Sequence, residues 1–306
     1  MELPPGLATR PVRLEDAPAV HAIIAAQERY DIGVPQVEEA DLVADWTRPS
    51  HDLAARSVCV LEGDRIVAYA ELMGADRADA AVHPQWRGRG IGTWLAAWLR
   101  AKGREVGSTV VGMPVPQGSA GDRLLEGLGY HVRWTSWLLQ LPAGVDVPER
   151  RLPPGYAVGT ATESQQAEAH AVVEDAFLEW SVRERESFED FRASVLQRPG
   201  FEPWNLRVVT GPGDDVVAAA VVLLGEDAGA GRVGYVSRLA TRRDQRNQGL
   251  AQALLVDSFA AARAAGAVVS ELATDSRTGA LGLYEKVGMV TTSVWVNRAV
   301  NLGQPV

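Results

Sequence analysis

The chain has 306 residues, of which 46% are hydrophobic and 23% are charged, and its formal net charge is −9. This acidic balance argues against broad binding of nucleic acid or anionic membrane, because both need a basic face. The single cysteine, Cys59, excludes an internal disulfide and a thiolate zinc cluster, and five scattered histidines predict no metal site. The N-terminus lacks the apolar core of a signal peptide, and the longest apolar run, residues 216–224, is too short to span a bilayer. These features predict a cytoplasmic protein.

The elements follow one another in a regular order along the first half of the chain. A short strand near residue 8 precedes two helices, and a strand hairpin breaks at Glu62–Asp64. A further strand runs into the glycine-rich stretch HPQWRGRGIG, and a helix follows in which Ile91, Trp94 and Leu95 share one face. A strand, a helix and a final strand complete the half. The second half repeats this order, which predicts an α/β protein with helices on the faces of a mixed sheet.

A fixed offset indicates that the chain is a tandem repeat. Positions 87, 90, 107 and 129 carry Arg, Gly, Gly and Gly, and the same residues return 159 positions later. The stretch LPAGVDVPERRLPPG, residues 141–155, is rich in proline, glycine and charge and is predicted to be the linker. We therefore expect one domain at 1–144 and a second at 152–306.

The glycine-rich stretches lie between a predicted strand and a predicted helix, which is the geometry of an anion site. The first amides of a helix have no partner within it, and the helix dipole adds positive charge there. The predicted cradle residues of the first copy are Arg87, Gly88, Arg89, Gly90, Ile91 and Gly92. Those of the second copy are Arg246, Asn247, Gln248, Gly249, Leu250 and Ala251. The second copy lacks a glycine at the position of Gly88 and so has the weaker glycine pattern.

Three phosphate-binding patterns are candidates for these stretches. Neither carries the Lys-Ser/Thr of a Walker loop, and the spacing does not fit a dinucleotide fingerprint. Both fit R-x-x-G-x-G/A. With AVHPQWRGRGIGTWL and with TGALGLYEKVGM at 278–289, the chain resembles the GCN5-related N-acetyltransferases (GNAT). It is most similar to their tandem-domain bacterial members, of which the mycothiol synthases are one group.

The resemblance implies a co-substrate and roles for particular residues. Acetyl-CoA would be bound through its pyrophosphate by the cradle amides, and pantetheine would pair with the preceding strand near Val82 or Thr241. The backbone N–H of Leu239 would face the thioester oxygen. Tyr284 would protonate the leaving thiolate, although its spacing from Leu281 also fits a core aromatic.

The first copy departs from this pattern because Leu125 stands where the second copy has Tyr284. The sequence therefore predicts that the second copy is catalytic and that the first either binds acetyl-CoA without turnover or braces the fold. The family's strand glutamate is replaced by Tyr235, and the general base is left open.

The predicted reaction is direct transfer of acetyl to a primary amine of a small molecule or peptide, by a monomer or homodimer. Two alternatives stay open. One is a non-catalytic acyl-CoA-binding regulatory protein, and the other is an acyltransferase that uses a different acyl-CoA.

Overall fold

The computed structural model describes residues 2–142, 144–227 and 231–303, which form two compact units. The first unit consists of Met1–Ser136 with Ser293–Val306, and the second of Trp137–Thr292. Within the described residues no helix is both long and apolar enough to cross a membrane.

The first repeat contains six strands and five helices among its described residues. Its strands are β1 (Ala8–Arg10), β2 (Ser57–Glu62), β3 (Arg65–Met73), β4 (Arg77–Val82), β5 (Val110–Pro116) and β6 (His131–Leu141). Its helices are α1 (Ala17–Ile32), α2 (Glu39–Trp46), α3 (Leu53–Arg56), α4 (Ile91–Glu105) and α5 (Ala120–Gly127). The predicted order of elements is confirmed, with the short α3 in addition.

The second repeat follows the same order. Its strands are β7 (Ala157–Thr160), β8 (Leu206–Thr210), β9 (Val216–Asp227), β10 (Gly231–Thr241), β11 (Val269–Asp275) and β12 (Val290–Asn301). Its helices are α6 (Gln166–Leu178), α7 (Phe188–Phe191), α8 (Leu250–Ala264) and α9 (Leu281–Lys286). The predicted second helix of this repeat begins as the short α7 and continues as a π-helical turn through Leu196.

Each unit is a mixed sheet with an apolar core on both faces. In the second unit, the alternate β9 residues Ala219 and Val221 pack on the α6 side, whereas Ala220 and Val222 pack on the α8 side. Because both faces are covered, this strand reads as the continuous apolar run VVAAAVVLL. The first unit has the same layers, with α1 and α2 on one face and α4 and α5 on the other.

The compact units depart from the domain boundaries expected at residues 144 and 152. The last strand of the first unit is the segment of β12 from Ser293, which runs antiparallel to β5 with Trp295 opposite Pro116. Arg298 on this strand is buried and donates from Nε to Asp122 Oδ1 at 2.6 Å. The last strand of the second unit is the end of β6, from Trp137. Each unit therefore takes its sixth strand from beyond the expected boundary, an exchange that local sequence patterns do not encode.

Candidate active site

The two glycine-rich stretches have nearly the same backbone conformation. Gly90 and Gly249 are the N-caps of α4 and α8, with φ of 84° and 82°. Gly88 has φ of 76°, and Asn247 at the matching place in the second unit has φ of 64°. Asparagine is one of the few residue types that tolerate this left-handed conformation. The missing glycine therefore does not distort the second cradle, and both stretches present the free amides of a helix N-terminus.

The strand that leads into each cradle separates from its parallel neighbour. In the second unit, β10 pairs with β11 from Val233 to Val236 and no further. A bulge follows between Val236 and Arg238. In the first unit, β4 meets β5 at a single position, Arg77 opposite Gly112, and carries no bulge against β3. Both units thus open a gap beside the last residues of the strand.

In the second unit, the amides that face this gap are unpaired. Arg242 N donates to Val217 O on β9 at 2.9 Å, so the alternate amides of Leu239 and Thr241 point away from β9. Among the described residues, neither amide has a hydrogen-bond partner. The Thr241 hydroxyl, which is buried, lacks a partner as well. Unpaired buried donors are costly in a folded protein, so this strand edge is suited to a polar ligand.

In the first unit, the matching amides are already bonded to side chains. Val82 N donates to Gln27 Oε1 at 3.1 Å, and Ala80 N donates to Asp79 Oδ1 at 2.9 Å. Ala80 corresponds to Leu239, and Val82 to Thr241. A ligand that pairs with this edge must first displace both side chains.

The first unit nevertheless contains a cavity of about 250 Å³ next to its cradle. Its walls are mostly apolar and include Val82, Met113 and Leu125, and Gln27 and Asp31 add polar atoms. The cavity is large and apolar enough for an apolar group, but the amides of the strand edge beside it are already hydrogen-bonded.

Tyr284 lies on α9 and is buried in the core cluster against which Leu239 packs. The two residues predicted to be catalytic thus lie in, or pack against, the same core cluster. Burial raises the pKa of Tyr284 to about 12. No described residue forms a hydrogen bond with its hydroxyl, so this group is protonated at neutral pH and has a free donor. The core-aromatic interpretation and the catalytic one are compatible at this position.

The side chains of the two cradle arginines form ion pairs with helix carboxylates. Arg246 bonds to both oxygens of Glu179 at 2.7 and 2.9 Å, and Arg87 bonds to both oxygens of Asp31 at 2.7 and 2.8 Å. The Arg246 guanidinium keeps the pKa of Glu179 below its ordinary value. These arginines tie the cradle to the first helix of the unit, and the amides are left for a ligand.

Arg238 lies on the face of β10 opposite Leu239, within an ion-pair network. β10 itself carries no carboxylate in place of the family's strand glutamate. Arg238 bonds to Glu186 at 2.6 Å, and Glu174, fully buried, bonds to Arg183 at 2.6 Å. His170 packs among them with an unpartnered Nε2, and burial lowers its pKa. One potential metal ligand each from His170, Glu174 and Glu186 lies within 4.8 Å of the others, but both glutamates are neutralised by arginines. This arrangement favours a salt-bridge cluster over a metal site, and sequence spacing gave no signal for it.

Comparison with known proteins places this geometry in a family. The model of the acetyltransferase (GNAT) family matches residues 20–118 and 169–289, once in each repeat. The chain belongs to the GNAT acetyltransferase family. It is an acyl-CoA-dependent acetyltransferase with two tandem GNAT repeats, as the sequence predicted.

Two curated relatives align over most of the chain. A protein of Thermobispora bispora named mycothiol acetyltransferase is 28% identical and covers 91% of this chain and 94% of its own length. A protein of the same name from Streptomyces coelicolor is also 28% identical, covering 90% of this chain and 89% of its own length.

Solved structures share the fold. A GCN5-related N-acetyltransferase from Sphaerobacter thermophilus superposes with a TM-score of 0.76, at 24% identity over 100% of this chain and 98% of that one. A tandem GNAT protein from the clavulanic acid biosynthesis pathway gives a TM-score of 0.68, at 16% identity over 97% of this chain and 99% of that one. Both cover the two repeats.

Proposed function

We propose that the second unit transfers an acetyl group from acetyl-CoA directly to a primary amine of a small molecule. The observation that carries this proposal is the strand edge at Leu239 and Thr241, where two amides and a buried hydroxyl have no partner among the described residues. The edge opens beside a cradle of helix N-terminal amides, so a long ligand with a phosphate end and an amide-rich arm satisfies both. The relatives named mycothiol acetyltransferase support a small-molecule acceptor.

Each residue of the proposed site has a definite task. The amides from Arg246 to Ala251 hold the diphosphate, and Thr241 holds the arm that follows it. The N–H of Leu239 donates to the thioester oxygen and stabilises the negative charge that develops there as the amine attacks. Tyr284 donates a hydrogen bond to the sulfur as the carbon–sulfur bond breaks, and the leaving thiolate takes up the proton that the amine loses as it becomes an amide. With a pKa of about 12, Tyr284 stays protonated over the working pH range and therefore keeps this donor.

The acceptor amine must be unprotonated when it attacks. No residue of β10 carries a carboxylate, and the cluster beside it is neutralised by Arg183 and Arg238. We therefore expect kcat/KM to rise with pH until the amine itself is unprotonated. A pH profile measured with two amines of different pKa tests this, and two profiles with the same midpoint would point to a base on the protein.

A second role is proposed for the first unit, on the strength of its cavity and its bonded amides. It binds an acyl-CoA without turnover or serves only as a scaffold, because the Ala80 amide that matches Leu239 is bonded to Asp79.

The experiment is thiol release from acetyl-CoA with a panel of small primary amines, followed by a panel of acyl donors. We expect amine-dependent release with acetyl-CoA. A preference for another acyl-CoA would change the donor in the proposal. No release with any amine or donor would overturn it in favour of a regulatory acyl-CoA-binding protein.

A further inference from the structure

The segment that follows the first repeat is fixed along helix α8 of the second unit. Val147 is 6% exposed and belongs to the same core cluster as Leu250 and Leu254. The next residue, Pro148, accepts a hydrogen bond from Gln252 Nε2 at 2.7 Å through its carbonyl oxygen. A buried side chain and a bond to the first turn of α8 therefore hold this segment close to the start of the helix.

Arg150, two residues further along, lies across the second cradle. A Cβ placed on Gly249 would lie 2.7 Å from Arg150 Cδ and 2.9 Å from Arg150 Cγ, and closer still to its Nε. The arginine side chain thus packs directly on the N-cap glycine of α8. The positive φ of Gly249 favours glycine here, and its missing side chain leaves the space that this arginine occupies.

The electrostatics of this contact are unfavourable without an anion. A helix N-terminus carries partial positive charge, and a guanidinium beside it has the same sign. Arg150 is exposed, and none of the described residues forms a hydrogen bond or an ion pair with it. The nearby cations Arg246 and Arg242, in contrast, are paired with Glu179 and with Asp215 and Asp244.

We propose that Arg150 is a phosphate ligand of the second cradle and binds the diphosphate of the acyl-CoA together with the amides of α8. This inference rests on the proposed function of the second unit. A guanidinium can offer two parallel N–H groups to phosphate oxygens, and the helix amides approach the same group from the other side. At the cradle of the first unit, the nearest described group to a Cβ on Gly90 is the ring of Pro4, at 3.8 Å, so no described cation packs on Gly90 as Arg150 packs on Gly249.

The test compares two acetyl donors, acetyl-CoA and the S-acetyl thioester of N-acetylcysteamine, which has no phosphate. We expect Arg150→Ala to raise the KM for acetyl-CoA about 10-fold, the scale of one lost charge-assisted contact, and to leave kcat unchanged. The same variant should not alter kcat/KM for the phosphate-free donor. Arg150→Lys should recover part of the loss, because it retains the charge but not the paired N–H groups.

Arg151→Ala is the matched control, since this neighbouring arginine is also exposed and none of the described residues forms a hydrogen bond or an ion pair with it. It should behave like the unchanged chain. An equal loss of kcat/KM with both donors would make Arg150 a structural residue and overturn the inference. A normal KM for acetyl-CoA in Arg150→Ala would also overturn it. A chain that turns over normally with Arg150→Ala overturns this inference alone. If the unsubstituted protein neither binds acetyl-CoA nor releases thiol, the proposed function is overturned as well.

Discussion

The cradles of the first and second units have nearly the same backbone conformation. The strand-edge amides beside them differ, because those of the first unit are hydrogen-bonded and those of the second are not. The first has the richer glycine pattern, with Gly88, Gly90 and Gly92, and yet its edge amides are bonded to Gln27 and Asp79. The second has fewer glycines, but the amides of Leu239 and Thr241 are unpaired. The comparison teaches that glycine spacing predicts the turn, whereas side chains outside the turn decide whether the strand edge beside it can serve a ligand.

The units also differ in charge at matching positions on the strand. Asp79 in the first unit corresponds to Arg238 in the second. Burial, reinforced by the nearby carboxylate of Glu71, raises the pKa of Asp79 to about 6. Arg238 is paired with Glu186 instead. The same fold therefore places a weakly acidic carboxyl on one strand and a neutralised cation on the other.

The largest effect expected from a single side chain is at Tyr284. Tyr284→Phe removes the donor to the leaving sulfur and should lower kcat about 100- to 1000-fold with little change in the KM for acetyl-CoA. Steady-state thiol release measures both constants. The matching position in the first unit holds Leu125, and Leu125→Met should leave kcat as it is. If Tyr284→Phe has a normal kcat, the hydroxyl has no part in the reaction.

A second prediction concerns a stability cost that lies in the first unit. Burial raises the pKa of Glu28 from 4.5 to about 7. Between these values the folded state holds a proton that the unfolded state has lost, so stability falls as pH rises from about 4.5 to 7. A shift of this size corresponds to about 3 kcal/mol, fully lost above pH 7.

Glu28→Gln should remove this loss, so that hydrogen exchange of the β3 amides is slower than in the unchanged chain at pH 8 after correction for intrinsic rates. Asp16 is the control. Its pKa is lowered by the hydrogen bond from Arg10, so Asp16→Asn should destabilise equally at pH 5.5 and pH 8. An unchanged pH dependence in Glu28→Gln would mean that other groups in the first unit cause it.

The smallest expected effect comes from opening the closed strand edge. Gln27→Ala frees the amide of Val82, and Asp79→Ala frees that of Ala80. Each freed donor should improve the affinity of the first unit for acetyl-CoA about 5-fold, the scale of one net hydrogen bond. Titration calorimetry in a Gly249→Glu background isolates the first unit. If affinity does not change, the side-chain caps are not what distinguishes the two edges.

Much of this architecture could be predicted from the sequence, because it depends on local patterns. The repeat, the order of elements and both cradles follow from spacing, and the fold and family are confirmed. The left-handed conformation of Asn247 was not predicted, because the sequence comparison counted only glycines and asparagine can adopt the same conformation. The bond from Val82 to Gln27 joins residues 55 positions apart. Such contacts depend on how helices dock on the sheet, and periodicity contains no information about that.

The exchanged strands and Arg150 escaped prediction for a related reason. Composition marked residues 141–155 as a linker, but only the packing of Val147 shows that this segment lies against the start of α8. The predicted roles of Leu239, Thr241 and Tyr284 stay predictions until they are tested in solution.

The most direct test places the same carboxylate in each cradle in turn. Gly90 and Gly249 have matching left-handed conformations at the N-caps of α4 and α8, so the two substitutions strain the backbone alike, and a side chain at 249 also displaces Arg150. The measurement is amine-dependent thiol release from acetyl-CoA by Gly249→Glu and by Gly90→Glu. Turnover lost with Gly249→Glu and kept with Gly90→Glu is the predicted result. The reverse pattern would place the chemistry in the first unit and contradict the roles given to Leu239 and Tyr284.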